Sequence, residues 1–500
     1  MDMQTFPGPL VENKRLRLTL FCFLMAALFM ATLDHQIVST ALPTIVGEFG
    51  QMERFGWIGS AYLLATCAVM PVYGKLGDLF GRKYVMIAAV MIFTLGSIAC
   101  GLAVSMNTLI AARVLQGLGG GGIMVSIFAV TADLFEPRER ARYQSYSSLM
   151  LMASGAIGPV LGGTMSDLFG WRSIFLINIP VGAIVLTGLL VFLPYRRPTR
   201  QPKIDYAGAL LLAGAITSVV LVADGSELFG SLVSAGSLSV LAGGLACAVA
   251  WVWVERRAPE PIVPMSLFAN RSFSLFLLIS LTSGAVGIGM INYFALFLQN
   301  TTGLSPSSAG LLFIMLTGGI VCGSLTAGRL ISRTGRIKIF SLASAGFAVT
   351  ALLAFTQIQP GTPLVLICAL MAFHGVGIGL GQQVPIIGVQ NMVARGDVGA
   401  ATGAVTLSRM AGASIAISIY GAIIAAALPR AVGAIPGVGD IETLTPLLLS
   451  AMPAATRQAV AEIYTLAFHP LFMTAAGIAG IGLIAAAAIR SIRLPSAKAG

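Results

Sequence analysis

Fourteen apolar runs follow one another along this chain, each near the ~20 residues that a helix needs to cross a bilayer. They lie at about 17–40, 55–76, 84–104, 107–133, 142–164, 171–193, 206–224, 232–254, 272–298, 307–330, 337–357, 362–390, 399–427 and 468–490. In lipid, each backbone N–H and C=O must find its partner within the protein, and runs of this length do so as helices. The expected fold class is an all-α membrane protein with 14 transmembrane helices. Charged residues make up 10% of the chain and hydrophobic residues 57%, against about 25% charged in a soluble domain. A soluble enzyme is thereby excluded. The net charge of +11 would suggest nucleic acid in a soluble protein. Here the basic residues sit in short clusters between apolar runs, which reads as topology rather than a surface that tracks phosphates.

Those clusters orient the chain. With an even number of spans both ends share a side, and that side carries 24 Lys and Arg against 4 on the other, so both termini are expected in the cytoplasm. The two remaining arginines, Arg113 and Arg409, lie inside spans. A repeat is visible as well. Gly74-Lys75-Leu76 followed by Gly81-Arg82 recurs as Gly328-Arg329-Leu330 followed by Gly335-Arg336, each after the second span of a six-span group. This divides the chain into an N-terminal six-helix half (1–195), two inserted helices with linkers (196–260) and a C-terminal six-helix half (261–500). Paired halves with a site between them are the plan of secondary transporters. The halves differ at one position: Asp78 in the first copy corresponds to Ser332 in the second.

The six cysteines fall in apolar runs without paired spacing, which indicates neither disulfides nor a metal site. No cleavage signal follows the first run, so it is expected to remain in the mature protein. The longest extracytoplasmic segment is about 429–467. Within it 456–466 reads as a short amphipathic helix, with Val460, Ile463, Tyr464 and Phe468 on one side. Such a helix lies at the membrane surface, contacts an adaptor protein or covers an exit.

The chemistry centres on Asp34, an acid inside the first run. A carboxylate at membrane depth costs several kcal/mol unless protonated, paired or hydrated. Span 1 runs outward and span 4 inward, so Asp34 and Arg113 both lie ~9–10 Å below the outer surface. Such a pair is either a fixed structural bridge or a proton site governed by water access and by distance to the arginine. His35 is turned about 100° away from Asp34 on the same helix and either titrates or merely packs. His374 and Arg409 are further candidates for a cavity lining.

Gly74, Asp78, Gly81, Arg82 and Lys83 form a glycine-rich basic loop, a candidate cytoplasmic charge latch between moving halves. Gly155, Gly158, Pro159, Gly162 and Gly163 give span 5 a smooth face for close helix packing, a hinge or a seal, and Pro159 adds an expected kink. The glycine runs at 119–122 and 375–381 lack the strand-turn-helix context of a nucleotide site, and no Walker loop is present. No cofactor and no metal are expected, and ATP is not the direct energy source.

Together these residues resemble the major facilitator superfamily. Segment 74–83 resembles its hallmark loop, and 109–117, with Arg113 and Gln116, resembles its span-4 motif, whose arginine is implicated in proton transfer. Segment 155–163 resembles the motif that marks antiporters. Segments 33–43, 171–180 and 399–409 resemble the fourteen-span drug:proton antiporters of the EmrB/QacA type. His35-Gln36 and Ser39-Thr40 depart from the commoner residues of that group, which leaves proton coupling intact and substrate preference open. The resemblance spans nearly the whole chain. It implies a major facilitator fold in the inner membrane, and export of amphipathic, often cationic, small molecules in exchange for protons, with a periplasmic adaptor as a candidate partner. Export of a lipid, siderophore or specific metabolite is the alternative, and a non-transporting sensor a remoter one. Besides His35, His374 and Arg409, polar and aromatic residues in the spans supply candidates for the substrate cavity: Tyr62, Asn178, Asn292, Tyr293, Phe297, Phe373 and Gln382.

Overall fold

The structure, a computed structural model, describes residues 9–49, 55–196, 203–223, 234–302, 306–432, 454–491 and 493–494. Among them the regular structure is helical, apart from an isolated bridge between Arg336 and Arg493. The first half contains α1 (Lys14–Phe49), α2 (Phe55–Phe80), α3 (Arg82–Gly101), α4 (Met106–Leu134), α5 (Pro137–Ser145), α6 (Ser147–Phe169), α7 (Ser173–Leu176) and α8 (Asn178–Phe192). Then come α9 (Tyr206–Ala223) and α10 (Ala235–Glu255). The second half contains α11 (Arg271–Gly287), α12 (Ile291–Thr302), α13 (Pro306–Thr334), α14 (Lys338–Phe355), α15 (Leu364–Gly381), α16 (Val384–Gln390), α17 (Val398–Val432) and α18 (Ala454–Ala488).

Among the described residues, eleven helical segments are long and apolar enough to cross a membrane, and the pair Pro137–Gly155 and Val160–Phe169, bent by 42°, makes twelve. The bend falls where Pro159 removes a backbone donor; the side chain of Pro159 lies outside the described residues. Tyr206–Val222 and Arg271–Gly287 are apolar but shorter, and these are the expected runs at 206–224 and 272–298. Non-helical residues 288–290 break the latter before α12 continues it.

The sequence repeat is also a packing repeat. Helix α1 packs on α6 as α11 packs on α17; α2 packs on α4 as α13 packs on α15; α3 packs on α8 as α14 packs on α18. Gly81 and Gly335, the repeated glycines, both hold positive φ, 92° and 70°, a backbone region that glycine enters without a Cβ penalty. Helix α9 leans on α2 and α17, one helix from each half. Its partner α10 keeps Leu238, Leu241, Leu245, Val249 and Trp253 exposed along one stripe, as a lipid-facing helix does.

Two expectations change. Segment 74–83 is not an open loop: α2 continues through Asp78 to Phe80, and the single residue Gly81 makes the turn into α3. Segment 456–466 is not a separate surface helix but the start of α18, which runs unbroken from Ala454 to Ala488. Its apolar side is buried rather than laid on a membrane: Val460, Tyr464 and Phe468 join the core of the second half, and Ile463 packs against it. The expected loop at 429–467 otherwise falls largely on 433–453, outside the described residues.

Candidate functional site

At the centre of the first half Asp34 and Arg113 meet, both side chains fully buried, with Nη1 of Arg113 2.6 Å from Oδ2 of Asp34. The other carboxylate oxygen, Oδ1, accepts from Nε2 of Gln116 at 2.7 Å and from Nδ2 of Asn178 at 2.8 Å. Both amides also donate to Oγ of Ser97 at 2.7 Å. Arg113 further donates to Gln116 Oε1 at 2.6 Å and to the Ile58 carbonyl at 3.1 Å. Its guanidinium carbon lies 4.3 Å from the Tyr62 ring centroid, a cation–π contact. The carboxylate on α1 thus takes charge-assisted bonds, the strongest kind available to it, from α4 and α8, and Ser97 of α3 holds the two amides in place.

Sequence reasoning places Asp34 and Arg113 together but misses Gln116 and Ser97 as partners. Gln116 had a signal, since i,i+3 spacing puts it on the Arg113 face of α4. Ser97 had none. It reaches the site because Gly96 lets α3 approach the α4 backbone at Gln116, where an added Cβ would come within 2.5 Å of the Gln116 backbone nitrogen.

The cavity candidates separate. Asn178 belongs to the buried acid network rather than to an open lining. Tyr62 lies beneath Arg113, and the exposed His35 stacks on it at 6.4 Å. Tyr293 donates to the Ile417 carbonyl at 2.6 Å. Phe297 is core, packed on Phe468 and Phe472. Phe373 stacks on Phe347 of α14 at 4.4 Å, and His374 is buried 5.5 Å from Phe294. Gln382 accepts from Ser148 at 2.7 Å and so joins the halves. The Asn292 side chain lies outside the described residues. Arg409 is 9% exposed.

Of the small-residue face on α6, Gly158 makes the close approach, against Gln36 of α1 in the same half, whereas Gly155 and Gly163 have open space beside them. Gly162 is buried. The seam between the halves is made elsewhere.

That seam lies at the end rich in Lys and Arg. Asp78 accepts from the backbone nitrogens of Gly399, at 2.9 and 3.1 Å, and Ala400, at 3.1 Å. Its carboxylate therefore caps the N-terminus of α17, where unpaired N–H groups and the helix dipole favour an anion. Arg82 holds the same carboxylate at 2.8 Å and Asp133 at 2.6 Å. Lys75 and Lys83 are not partners of Asp78: Lys75 pairs with Glu260 at 2.7 Å, and Lys83 donates to the Leu190 carbonyl. Ser148 to Ser324, Gln144 to Gln390, and Gln383 to Ser147 add to the seam. Among the described residues, every hydrogen bond that joins the halves lies at this basic end.

The far end is tied within the first half. Glu48 at the end of α1 accepts two bonds from Arg172, at 2.8 and 3.0 Å, and one from the Trp171 indole at 2.6 Å. The Arg172 and Trp171 hydrogen bonds hold its carboxyl below its ordinary value of 4.5. A depressed folded-state pKa stabilises the fold above the ordinary value, and the contribution fades as pH falls through the lower one. Glu48→Gln is therefore expected to lower the melting temperature slightly at pH 7, the pair being half-exposed. The difference from wild type should vanish toward pH 3 in detergent melts. An unchanged difference at pH 3 would count against this contact.

A family model described as Major Facilitator Superfamily matches residues 24–417. An uncharacterized MFS-type transporter of Mycobacterium tuberculosis is 33% identical over 490 residues, 97% of this chain and 71% of that protein. Multidrug resistance protein 3 of Bacillus subtilis is 30% identical over 403 residues, 80% of this chain and 78% of its own length. Among solved structures, a bacterial homologue of the iron transporter ferroportin in an outward-facing state aligns with a TM-score of 0.65 at 13% identity, covering 95% of this chain and 98% of that one.

Proposed function

This chain belongs to the Major Facilitator Superfamily, and from that premise we propose that it exports amphipathic small molecules in exchange for protons. The observation that carries the proposal is the buried Asp34–Arg113 pair. Asp34 is the one acid within the apolar runs, away from their ends. A proton arriving on Asp34 cancels its hold on Arg113, and the guanidinium then needs another partner. Loading and unloading this carboxylate couples proton flow to the arrangement of α1 and α4.

The seam supplies the second part of the cycle. With the basic end cytoplasmic, as the charge asymmetry favours, the closed seam corresponds to an outward-facing protein. Release of Asp78 from the α17 N-terminus opens the inward path. The two shorter apolar helices count as crossings in this reading, which makes fourteen and keeps both termini in the cytoplasm of an inner-membrane exporter.

Everted membrane vesicles with an imposed proton gradient test the proposal directly. A panel of amphipathic dyes, ethidium among them, should include compounds that accumulate with the gradient and leak out when a protonophore collapses it. Absence of gradient-dependent uptake of every dye and of labelled lipid would overturn it.

A further inference from the structure

We propose that the interior between the two halves takes amphipathic anions, with Arg409 as the charge that holds them. The inference rests on the exporter reading and gives its cargo a sign. Within the apolar runs, away from their ends, the chain has one acid, Asp34, and two arginines, Arg113 and Arg409. The acid is already engaged. Both its oxygens are bonded, and its charge is balanced by Arg113 at 2.6 Å. One positive charge at membrane depth remains, on Arg409.

Arg409 is 9% exposed, and among the described residues it has no hydrogen bond and no ion pair; its buried Nε has no partner. A lone buried guanidinium costs several kcal/mol unless water or an anion compensates it. Its position fits a guest between the halves. Thr402 lies seven residues earlier and shares its face of α17. Thr402 accepts from Gln390, which also donates to the Phe128 carbonyl of the first half. That face of α17 therefore looks toward the partner half, and Arg409 stands two turns, ~10 Å, farther from the closed end. On α1 the exposed residue next to Asp34 is His35, a basic group rather than an acid. A cationic guest would meet uncompensated positive charge here, and a carboxylate, sulfonate or phosphate would find its partner.

Fluorescein and rhodamine 123 share a ring system and differ in charge, which makes them a matched pair of probes. Uptake into everted vesicles under a proton gradient is measured in extracted vesicle contents, so that dye response to pH does not enter. Fluorescein should accumulate in wild type. Arg409→Gln should cut its uptake about tenfold or more at low concentration, through a raised KM. Arg409→Lys should restore most of it, and the ratio of rhodamine 123 to fluorescein uptake should rise in Arg409→Gln. Anisotropy of fluorescein with purified protein reports the same loss of binding if a variant folds but does not transport. Uptake of rhodamine 123 alone in wild type keeps the exporter reading and overturns the anion site. Uptake of neither dye overturns the anion site, and the full dye and lipid panel then decides the exporter reading. Equal loss of both dyes in Arg409→Gln, or fluorescein uptake matching wild type, assigns Arg409 a structural role and overturns the proposal.

Discussion

Asp34→Asn is expected to abolish gradient-driven uptake in everted vesicles while leaving a folded protein. The amide keeps the size of the carboxyl and still accepts from Gln116 or Asn178, but it carries no charge and takes no proton. Arg113 keeps the Ile58 carbonyl, Gln116 Oε1 and the Tyr62 ring, so loss of the acid strands it only in part. Arg113→Ala is the harsher change. It leaves a buried carboxylate with no cation, a situation that costs about 3–5 kcal/mol. The melting temperature should therefore fall further for Arg113→Ala than for Asp34→Asn. The double variant Asp34→Asn/Arg113→Gln should recover part of the stability and none of the transport. This asymmetry separates a proton site from a structural bridge, because a bridge predicts that stability and transport recover together. Full uptake by Asp34→Asn would sink the proton role.

Depth and direction made the central pair legible. Two apolar runs, one outward and one inward, fix Asp34 and Arg113 at the same level without knowledge of side-chain contacts. Gln116, Ser97 and Asn178 complete the pair from three helices, and no local pattern says that α3 and α8 converge there. Asn178 illustrates the difficulty, since an amide within a span reads equally as cavity lining or as acid partner. The latch shows the same limit over a longer range. The acid and its glycine-rich setting are visible between residues 74 and 83, but the group that Asp78 binds is a helix N-terminus 321 residues away. The acid that shares Arg82 is Asp133, 51 residues on. Segment 456–466 was misplaced for a different reason. Its apolar stripe has the period of a surface helix, and only tertiary contact with Phe297 and the rest of the second-half core makes it buried. Aromatic residues of the spans are the least informative, because Phe297 and Phe373 pack as readily as they would line a cavity.

Gly399→Ala is expected to hold the basic end open and to reduce transport sharply. At the closed seam α2 and α17 touch backbone to backbone: a Cβ on Gly399 would run into the Gly74 carbonyl, and a Cβ on Gly74 into the Gly399 carbonyl. The same Cβ would stand 2.8 Å from Asp78 Oδ2, displacing the carboxylate from the backbone nitrogens that it caps. Backbone cannot yield as a flexible side chain does, and overpacking of this kind costs about 1–3 kcal/mol. All of that cost falls on the closed state, so the closed-to-open ratio should drop roughly 5- to 150-fold. Spin labels at exposed positions on the outer helices of each half, Tyr84→Cys and Ile339→Cys, read the change as a longer distance across the basic end; the six native cysteines are first replaced. Gly163→Ala is the control, since nothing lies within 4 Å of its added Cβ, and it should match wild type in distance and uptake. Asp78→Asn, which keeps the backbone fit but removes the charge facing the α17 N-terminus and Arg82, should shift the distance in the same direction by less. Unchanged distances and full uptake in Gly399→Ala would mean that this seam does not gate the transporter.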